Sequence, residues 1–246
     1  MRILYFSLRR GAIVVPFVFI IIGIILYLIS CRSEPTLIRT PGTFYMVHTQ
    51  NKVVSLTFDD GPDPLFTPQV LDILKEENVK ATFFVIGKAA EANPAILQRI
   101  IGEGHVIGNH SYTHDYRQRT LATEIAKTDQ VVFAATHAHT HFYRPPGGIV
   151  AKAQLEIVKT NGHIFTLWSL DSRDWVNPGP TQILRTVVDN VFPGSIILLH
   201  DGGDRRGQTI AALPTIITRL RSMGYSFVSL EELRHMDNSS IPTGWE

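Results

Sequence analysis

The chain contains 246 residues, of which 44% are hydrophobic and 18% are charged, with 18 glycines and 14 prolines. This composition excludes a disordered, a collagen-like and a multi-pass membrane protein. The formal net charge of +1 shows no electrostatic footprint for nucleic acid. The single cysteine, Cys31, excludes an internal disulfide and a multi-cysteine zinc site, so a metal would be bound through His, Asp and Glu.

The N-terminal segment differs in composition from the rest of the chain. No charged residue lies between Ala12 and Ser30, and this stretch is long enough to span a bilayer core of about 30 Å. Arg2, Arg9 and Arg10 precede it, and the first acidic residue is in position 34. Because positive flanks stay in the cytoplasm, this pattern predicts that the remainder of the chain is exported.

The end of the apolar segment allows more than one interpretation. Residues 28–31 resemble a bacterial lipoprotein cleavage site in which Cys31 is acylated, whereas the length of the apolar run favours an uncleaved signal anchor. Clean secretion is a third alternative. All three deliver the domain to the extracytoplasmic side of a bacterial membrane. We expect a signal anchor or lipoprotein signal over 1–31, a linker over 32–50, a folded domain over 51–235 and a tail over 236–246.

From about residue 53 onwards, short apolar runs alternate with amphipathic segments. The runs predict strands at 53–58, 81–86, 105–108, 142–143, 163–170, 195–199 and 225–230. Helical spacing predicts helices at 67–77, 94–102, 121–136, 151–161, 181–191 and 210–223. This alternation favours parallel strands in βαβ units. About seven strands in roughly 180 residues fit a small α/β barrel. An open doubly wound sheet remains an alternative, because periodicity does not separate the two.

Carboxylates and histidines follow two of these strands. Asp59 and Asp60 end the first strand, where neighbouring side chains point to different sides, so one can bind a metal while the other faces water. His110 and His114 follow the third strand and, four residues apart, can share a cation from one side of a helical turn. Ser111 stands where a zincin has its glutamate, which excludes that family and leaves Asp59 as a candidate base.

Three further polar clusters follow later strands. Arg144 begins a Pro-Pro-Gly-Gly run that can fix the arginine and present backbone N–H groups, and residues 171–175 follow the next strand. His200 follows the strand after that and could act as a general acid if a carboxylate supports it. Each cluster alone is also typical of a plain turn, loop or surface pair. Five clusters after five strands indicate a shared site, because a barrel gathers its active site at these strand ends.

The five motifs resemble those of the polysaccharide deacetylase family, which has the NodB homology domain and is also called carbohydrate esterase family 4. The resemblance extends from about Val53 to Leu233 and depends most on the TFDDGP run at 57–62 followed by His110 and His114. It implies a distorted (β/α)7-type barrel of NodB type, preceded by the N-terminal transmembrane or signal segment. The resemblance therefore favours a barrel over the open sheet.

The resemblance also implies a metal site and a base. Asp60, His110 and His114 would bind a divalent metal, most commonly Zn²⁺, with Co²⁺, Ni²⁺ or Fe²⁺ as alternatives. Asp59 would act as the general base. Arg144 would pair with Asp59 and orient it.

By the same resemblance, His200 would be the general acid, and Asp174 would hold and tune it. Trp175 and Leu198 would line the pocket for the acetyl methyl group. The backbone N–H of Gly147 would help to hold the oxyanion, although the family often has a tyrosine at this position.

These expectations describe a metal-dependent N-deacetylase of an envelope polysaccharide. Peptidoglycan is the expected substrate, because the domain would lie outside a bacterial membrane. The resemblance favours N-acetylglucosamine as the sugar, because Asp59 and Asp60 are both present, whereas relatives that resemble N-acetylmuramic acid deacetylases often have Asn at the second position. Chitin oligomers or O-acetylated xylan are alternatives within the same chemistry. A catalytically silent wall-binding or spore-associated protein is an alternative of another class. The expected partners are the polysaccharide and, through the N-terminal segment, the membrane, with neither nucleic acid nor a protein partner.

Overall fold

A computed structural model describes residues 41–115 and 120–237 of the chain. The predicted anchor or signal, Cys31, and tail positions 238–246 lie outside the described residues. Within the described ranges, no helix combines the length and the apolar character that a membrane crossing requires.

The described residues alternate between strands and helices, as the sequence predicts. The strands are β1 (Val53–Asp59), β2 (Thr82–Val85), β3 (Val106–Asn109), β4 (Phe142–Tyr143), β5 (Ile164–Phe165), β6 (Leu170–Asp171), β7 (Ser195–His200) and β8 (Ser226–Phe227). The helices are α1 (Thr67–Glu76), α2 (Gly87–Ala92), α3 (Pro94–Gly102), α4 (Leu121–Thr136), α5 (Lys152–Thr160), α6 (Pro180–Asn190), α7 (Gly207–Ser222) and α8 (Leu230–Arg234). Short 3₁₀ turns occupy Pro146–Gly148 and Asp174–Val176.

The strands form one parallel sheet with β1 near its centre. Their order is β5-β4-β3-β2-β1-β7-β6, and β8 pairs with the start of β1. All seven residues of β1 are buried, as expected for a parallel strand that is covered on both faces. Apolar residues at helical spacing, such as Val70, Leu71 and Leu74 of α1, pack against this sheet and are buried.

The predicted strand at 163–170 is wrong in one respect, because it is two short strands separated by residues 166–169. In this interval the backbone pairs with a segment near the start of the described chain. Phe44 N–H donates to Phe165 O, and Leu167 N–H donates to Phe44 O, both at 2.8 Å. Strands β5 and β6 therefore end the sheet without pairing with each other, and the fold is an open half-barrel rather than a closed seven-stranded barrel.

The same segment shows where folded structure begins. Phe44 and Val47 are fully buried, and the Phe44 ring stacks on Phe142 with their centroids 6.1 Å apart. The last part of the predicted linker, 32–50, therefore contributes to the hydrophobic core. The folded part starts before the predicted boundary at residue 51, because these apolar side chains gain more from burial than from exposure to water.

Two short helices were not predicted. Helix α2 (Gly87–Ala92) follows β2, and α8 (Leu230–Arg234) begins where the last strand was predicted to end. The start of α8 is a capping box: Glu232 N–H donates to Ser229 Oγ, and Ser229 N–H donates to a Glu232 carboxylate oxygen. This local pattern is visible in the sequence and shortens the predicted strand at 225–230.

Candidate active site

The polar clusters singled out in the sequence lie at the carboxyl ends of β1, β3, β4, β6 and β7. These ends share one edge of the sheet because all the strands are parallel. Side chains that are far apart in the chain therefore converge there, as is usual for α/β folds.

Asp60, His110 and His114 come together as predicted. Asp60 Oδ1 lies 3.1 Å from His114 Nε2 and 3.5 Å from His110 Nε2. His110 Nδ1 lies 2.8 Å from the carbonyl oxygen of Arg144, and because a carbonyl only accepts, Nδ1 carries the proton and the Nε2 lone pair faces the site. The three ligand atoms lie within 4.8 Å of one another. Two imidazoles and one carboxylate are a donor set that suits Zn²⁺ and similar cations.

The electrostatics of this triad also fit a cation. Asp60 Oδ1 is buried and accepts no hydrogen bond within the described residues. Burial opposes ionisation of Asp60, but the adjacent His110 and His114 rings outweigh it and lower the pKa of the carboxyl group. An ionised carboxylate oxygen next to the Nε2 lone pair of His110 is stabilised when a cation lies between them. The residues present therefore fit a divalent metal.

His110 and His114 do not lie on a helical turn, so the prediction that a helical turn brings them to one side is wrong. Residues 111–115 are not helical. Asp60, Ser111 and His114 instead adopt positive φ angles of 72°, 64° and 58°, a region that non-glycine residues rarely occupy. The turn is held by Ser111 Oγ, which accepts from His114 N–H at 3.0 Å, and by Asn109 Oδ1, which accepts from Ser111 N–H at 2.9 Å. Such backbone conformations cluster at functional sites.

Arg144 is fully buried and paired with Asp59, as the resemblance implies. Its Nη1 donates to Asp59 Oδ1 at 2.7 Å and to Thr57 Oγ1 at 2.8 Å, while Nη2 donates to Leu167 O at 2.9 Å. The other carboxylate oxygen, Asp59 Oδ2, lies 3.9 Å from His110 Nε2 and so faces the metal ligands. Arg144 thus holds one carboxylate oxygen of Asp59, and the other oxygen can accept a proton.

Asp174 and His200 form a second charged pair. His200 Nδ1 lies 2.7 Å from Asp174 Oδ1, and Asp174 Oδ2 accepts from His200 N–H at 2.9 Å and from Thr209 Oγ1 at 2.8 Å. Burial would lower the pKa of His200, but the hydrogen bond and charge of Asp174, with the carboxylates of Asp59 and Asp60, outweigh it and raise that pKa. The imidazolium form is therefore stabilised.

The predicted substrate residues differ in their exposure. Trp175 is 47% exposed, and its Nε1 donates to Asp171 Oδ2 at 3.3 Å. Leu198 is buried in β7, in register with Thr57 and next to β6. Gly147 is exposed with φ 63°. A cavity of about 520 Å³ opens between the segments after β6 and β7, lined by Asn177, Asp204, Arg205, Gly207 and Gln208.

Asp201 is a buried polar residue that sequence reasoning passed over. Asp201 is only 1% exposed, and its Oδ2 accepts a hydrogen bond from Thr67 Oγ1 at 2.6 Å. Burial raises the pKa of Asp201 to about 7, helped by the charges of Asp60 and Asp59 and opposed by the Thr67 hydrogen bond. Its position directly after His200 was the available signal, but a second acid beside a histidine is also typical of a turn.

Comparison with known proteins agrees with this geometry. A family model described as polysaccharide deacetylase matches residues 46–165. A peptidoglycan-N-acetylglucosamine deacetylase of Bacillus cereus is 42% identical over 192 residues, which cover 76% of this chain and 90% of the relative.

Solved structures include both an enzyme and an inactive relative. The structure of the peptidoglycan N-acetylglucosamine deacetylase Bc1960 matches with a TM-score of 0.76 and 38% identity, covering 81% of this chain and 94% of that one. BA3943 of Bacillus anthracis, described as a pseudoenzyme of carbohydrate esterase family 4, matches with a TM-score of 0.75 and 30% identity, covering 81% and 71%. The match therefore assigns a family, and activity depends on the site residues. With the family model, the identity and the coverage in agreement, this chain belongs to the polysaccharide deacetylase family.

Proposed function

We propose that this chain is a metal-dependent hydrolase that removes the N-acetyl group from N-acetylglucosamine residues of peptidoglycan. The observation that carries the proposal is the position of Asp59. One of its oxygens is tied to Arg144 at 2.7 Å, and the other faces His110 Nε2 at 3.9 Å. A base is thus placed beside the ligands of a divalent metal.

Asp60, His110 and His114 would hold the metal, which when bound supplies Lewis acidity that lowers the pKa of water and polarises an amide carbonyl. Asp59 Oδ2 accepts a proton from the attacking water as the water oxygen forms a bond to the acetyl carbon. Arg144 fixes the orientation of Asp59, because its guanidinium donates to the oxygen that does not take the proton. The N–H of Gly147 can donate to the oxygen that becomes negative.

His200 completes the reaction on the opposite side of the bond that breaks. Its raised pKa keeps the ring protonated, so it can give a proton to the sugar nitrogen as the C–N bond breaks and acetate leaves. Asp174 holds Nδ1 at 2.7 Å and so directs Nε2 towards the substrate. The sugar keeps its nitrogen as a free amine. Asp59 then releases its proton and His200 takes one up from solvent, which restores both groups.

The relatives support the choice of polymer. Both the Bacillus cereus relative and Bc1960 are named for peptidoglycan N-acetylglucosamine, and each matches most of its own length to this chain. The cavity between the segments after β6 and β7 is lined by amide and charged groups, which suit a hydrated saccharide. Chitin oligomers and O-acetylated xylan remain the alternatives within the same chemistry.

Acetate release by the purified chain tests the proposal. Peptidoglycan, N-acetylglucosamine oligomers and O-acetylated xylan would each be incubated with added Zn²⁺ and with a chelator. We expect release that is fastest on peptidoglycan and that stops with the chelator. Faster release from another polymer would replace the substrate. The BA3943 relative makes a silent protein the second candidate, and stoichiometric metal binding without release from any polymer would support it.

We also propose that the domain works on the extracytoplasmic face of the membrane, held there by an uncleaved N-terminal anchor. The arginines before the apolar run at 12–30 and the absence of acids there support this orientation. Fractionation of cells that express the Cys31→Ala chain distinguishes the alternatives. The variant should remain with the membrane, whereas its loss from the membrane would indicate that Cys31 is acylated.

A further inference from the structure

Two loops of the active site pack against each other through their backbones. A methyl group at Gly61 would lie 2.3 Å from Asp201 Oδ2, and one at Gly202 would lie 2.3 Å from Asp60 O. Asp201 N–H donates to Asp59 O at 3.1 Å. Only residues without a side chain fit at such distances. The metal-ligand turn, defined as residues 60–63, therefore lies directly on the loop that follows His200.

A hydroxyl group links the two loops from the side. Thr67, the first residue of α1, is fully buried, and its Oγ1 donates to Asp201 Oδ2 at 2.6 Å. The same oxygen accepts from Asp63 N–H at 2.7 Å. Thr67 thus joins Asp201 to the far end of the metal-ligand turn, while Asp201 contacts the middle of that turn at Gly61.

The backbone of Asp60 needs such support. Its φ of 72° lies in the left-handed region, which is sparsely populated for residues other than glycine. Such a conformation persists only where the surrounding contacts hold it. In this conformation Oδ1 of Asp60 points at both histidine ligands, 3.1 Å from His114 and 3.5 Å from His110.

We propose that the Thr67–Asp201 hydrogen bond positions Asp60 for metal binding. Both are positioning residues, because the bond acts through the metal-ligand turn. The bond also makes the His200 loop and the metal-ligand turn one unit, since Asp201 directly follows His200. This inference rests on the metal site of the proposed function, but it concerns metal affinity rather than turnover.

Zinc affinity of the full chain, measured by competition with a chromophoric chelator, tests the inference. Thr67→Val removes the hydroxyl at nearly constant volume, and we expect it to weaken Zn²⁺ binding about tenfold or more, as is typical for groups that orient metal ligands. Thr67→Ser restores the hydroxyl and should bind within about twofold of the wild type. The visible spectrum of bound Co²⁺ should change in Thr67→Val and return in Thr67→Ser.

Thr82→Val is the matched control. Thr82 is also fully buried, and its hydroxyl accepts a hydrogen bond from Leu230 N–H at 3.1 Å, in β2 and outside the metal-ligand turn. We expect it to lower the thermal midpoint of the metal-free chain as Thr67→Val does, yet to leave the Zn²⁺ affinity and the Co²⁺ spectrum unchanged.

Three results would overturn the inference. They are wild-type affinity in Thr67→Val, an equal loss in Thr82→Val, and no recovery in Thr67→Ser. If Thr67→Val does not fold, Asp201→Ala takes its place. We expect the same loss of Zn²⁺ affinity in this variant, and wild-type affinity would contradict the inference. A wild-type chain that binds neither Zn²⁺ nor Co²⁺ would overturn the metal site itself, and with it both proposals.

Discussion

The two halves of the candidate site are built differently. On the acid side, His200 and Asp174 meet at 2.7 Å, and Asp174 receives two further hydrogen bonds, so its charge is satisfied by the protein. On the metal side, Asp60 Oδ1 is buried without a hydrogen bond within the described residues, 3.1 Å from His114 Nε2, and two of the three predicted ligands have positive φ angles. Under the proposed function, the acid side is complete in the folded chain, whereas the metal side would need a cation.

Under the proposed function, this difference would let a single sheet edge serve two chemical roles. A proton donor works best when its pKa is set by neighbours that stay in place, and burial beside Asp174 provides this. A metal site must leave its donor atoms unpaired until the cation arrives, so its shape has to come from the backbone and from outer contacts. The predictions below test this division, from the largest expected effect to the smallest.

Loss of a metal ligand should have the largest effect. His114→Ala removes one of three donors, and we expect Zn²⁺ binding to fail and acetate release to fall by about 10³-fold or more, since the Lewis acid supplies several kcal/mol. His141→Ala is the control, because this histidine is exposed and lies outside the metal triad. Normal release by His114→Ala in the presence of a chelator would contradict the role of the metal side.

Loss of the base should separate turnover from metal binding. Asp59→Asn keeps an oxygen that can accept from Arg144 but cannot take a proton, so we expect acetate release to fall by about 10²- to 10⁴-fold. Zn²⁺ affinity should stay within a few-fold of the wild type, because Asp59 is not one of the three ligands. Asp189→Asn, on an exposed face of α6, is the matched control. An equal loss of Zn²⁺ affinity and turnover would place Asp59 among the ligands.

Removal of the Asp174 charge should shift the pH profile. This carboxylate raises the pKa of His200, so the protonated ring is present below that pKa and is lost as the pH rises through it. Asp174→Asn lowers the pKa, and the alkaline limb of kcat/KM should move to lower pH by about one unit or more. Zn²⁺ affinity should not change. An alkaline limb that stays in place would show that another group donates the proton.

The smallest effect is expected at the exposed rim. Trp175 is 47% exposed, so Trp175→Ala should change the free energy of unfolding by no more than about 0.5 kcal/mol. If the Trp175 ring lines the acetyl pocket as the resemblance implies, its loss should raise KM about fivefold, which corresponds to ~1 kcal/mol. Kinetics on soluble N-acetylglucosamine oligomers measure this change, and Phe133→Ala, on the exposed face of α4, is the control. An unchanged KM would remove Trp175 from the pocket.

The local patterns predicted most elements and placed the site residues at strand ends. Helices such as Thr67–Glu76 and Leu121–Thr136 begin and end within one or two residues of their predicted limits, because apolar spacing and flanking turns are local signals. The paired aspartates and the two histidines were found for the same reason. The capping box of Ser229 and Glu232 is also a local pattern, and it ends the last strand earlier than the predicted limits of 225–230.

The sequence by itself determined which residue types stand at the ends of successive strands, since hydrophobic periodicity and turn residues act over a few positions. Only the tertiary structure decided that Phe44 interrupts the strand predicted at 163–170. It also decided that Thr67 bonds to Asp201 across 134 positions, and that Arg144 reaches Thr57. Such contacts depend on where the chain places distant segments, and burial makes each one matter because no water is available to replace a missing partner.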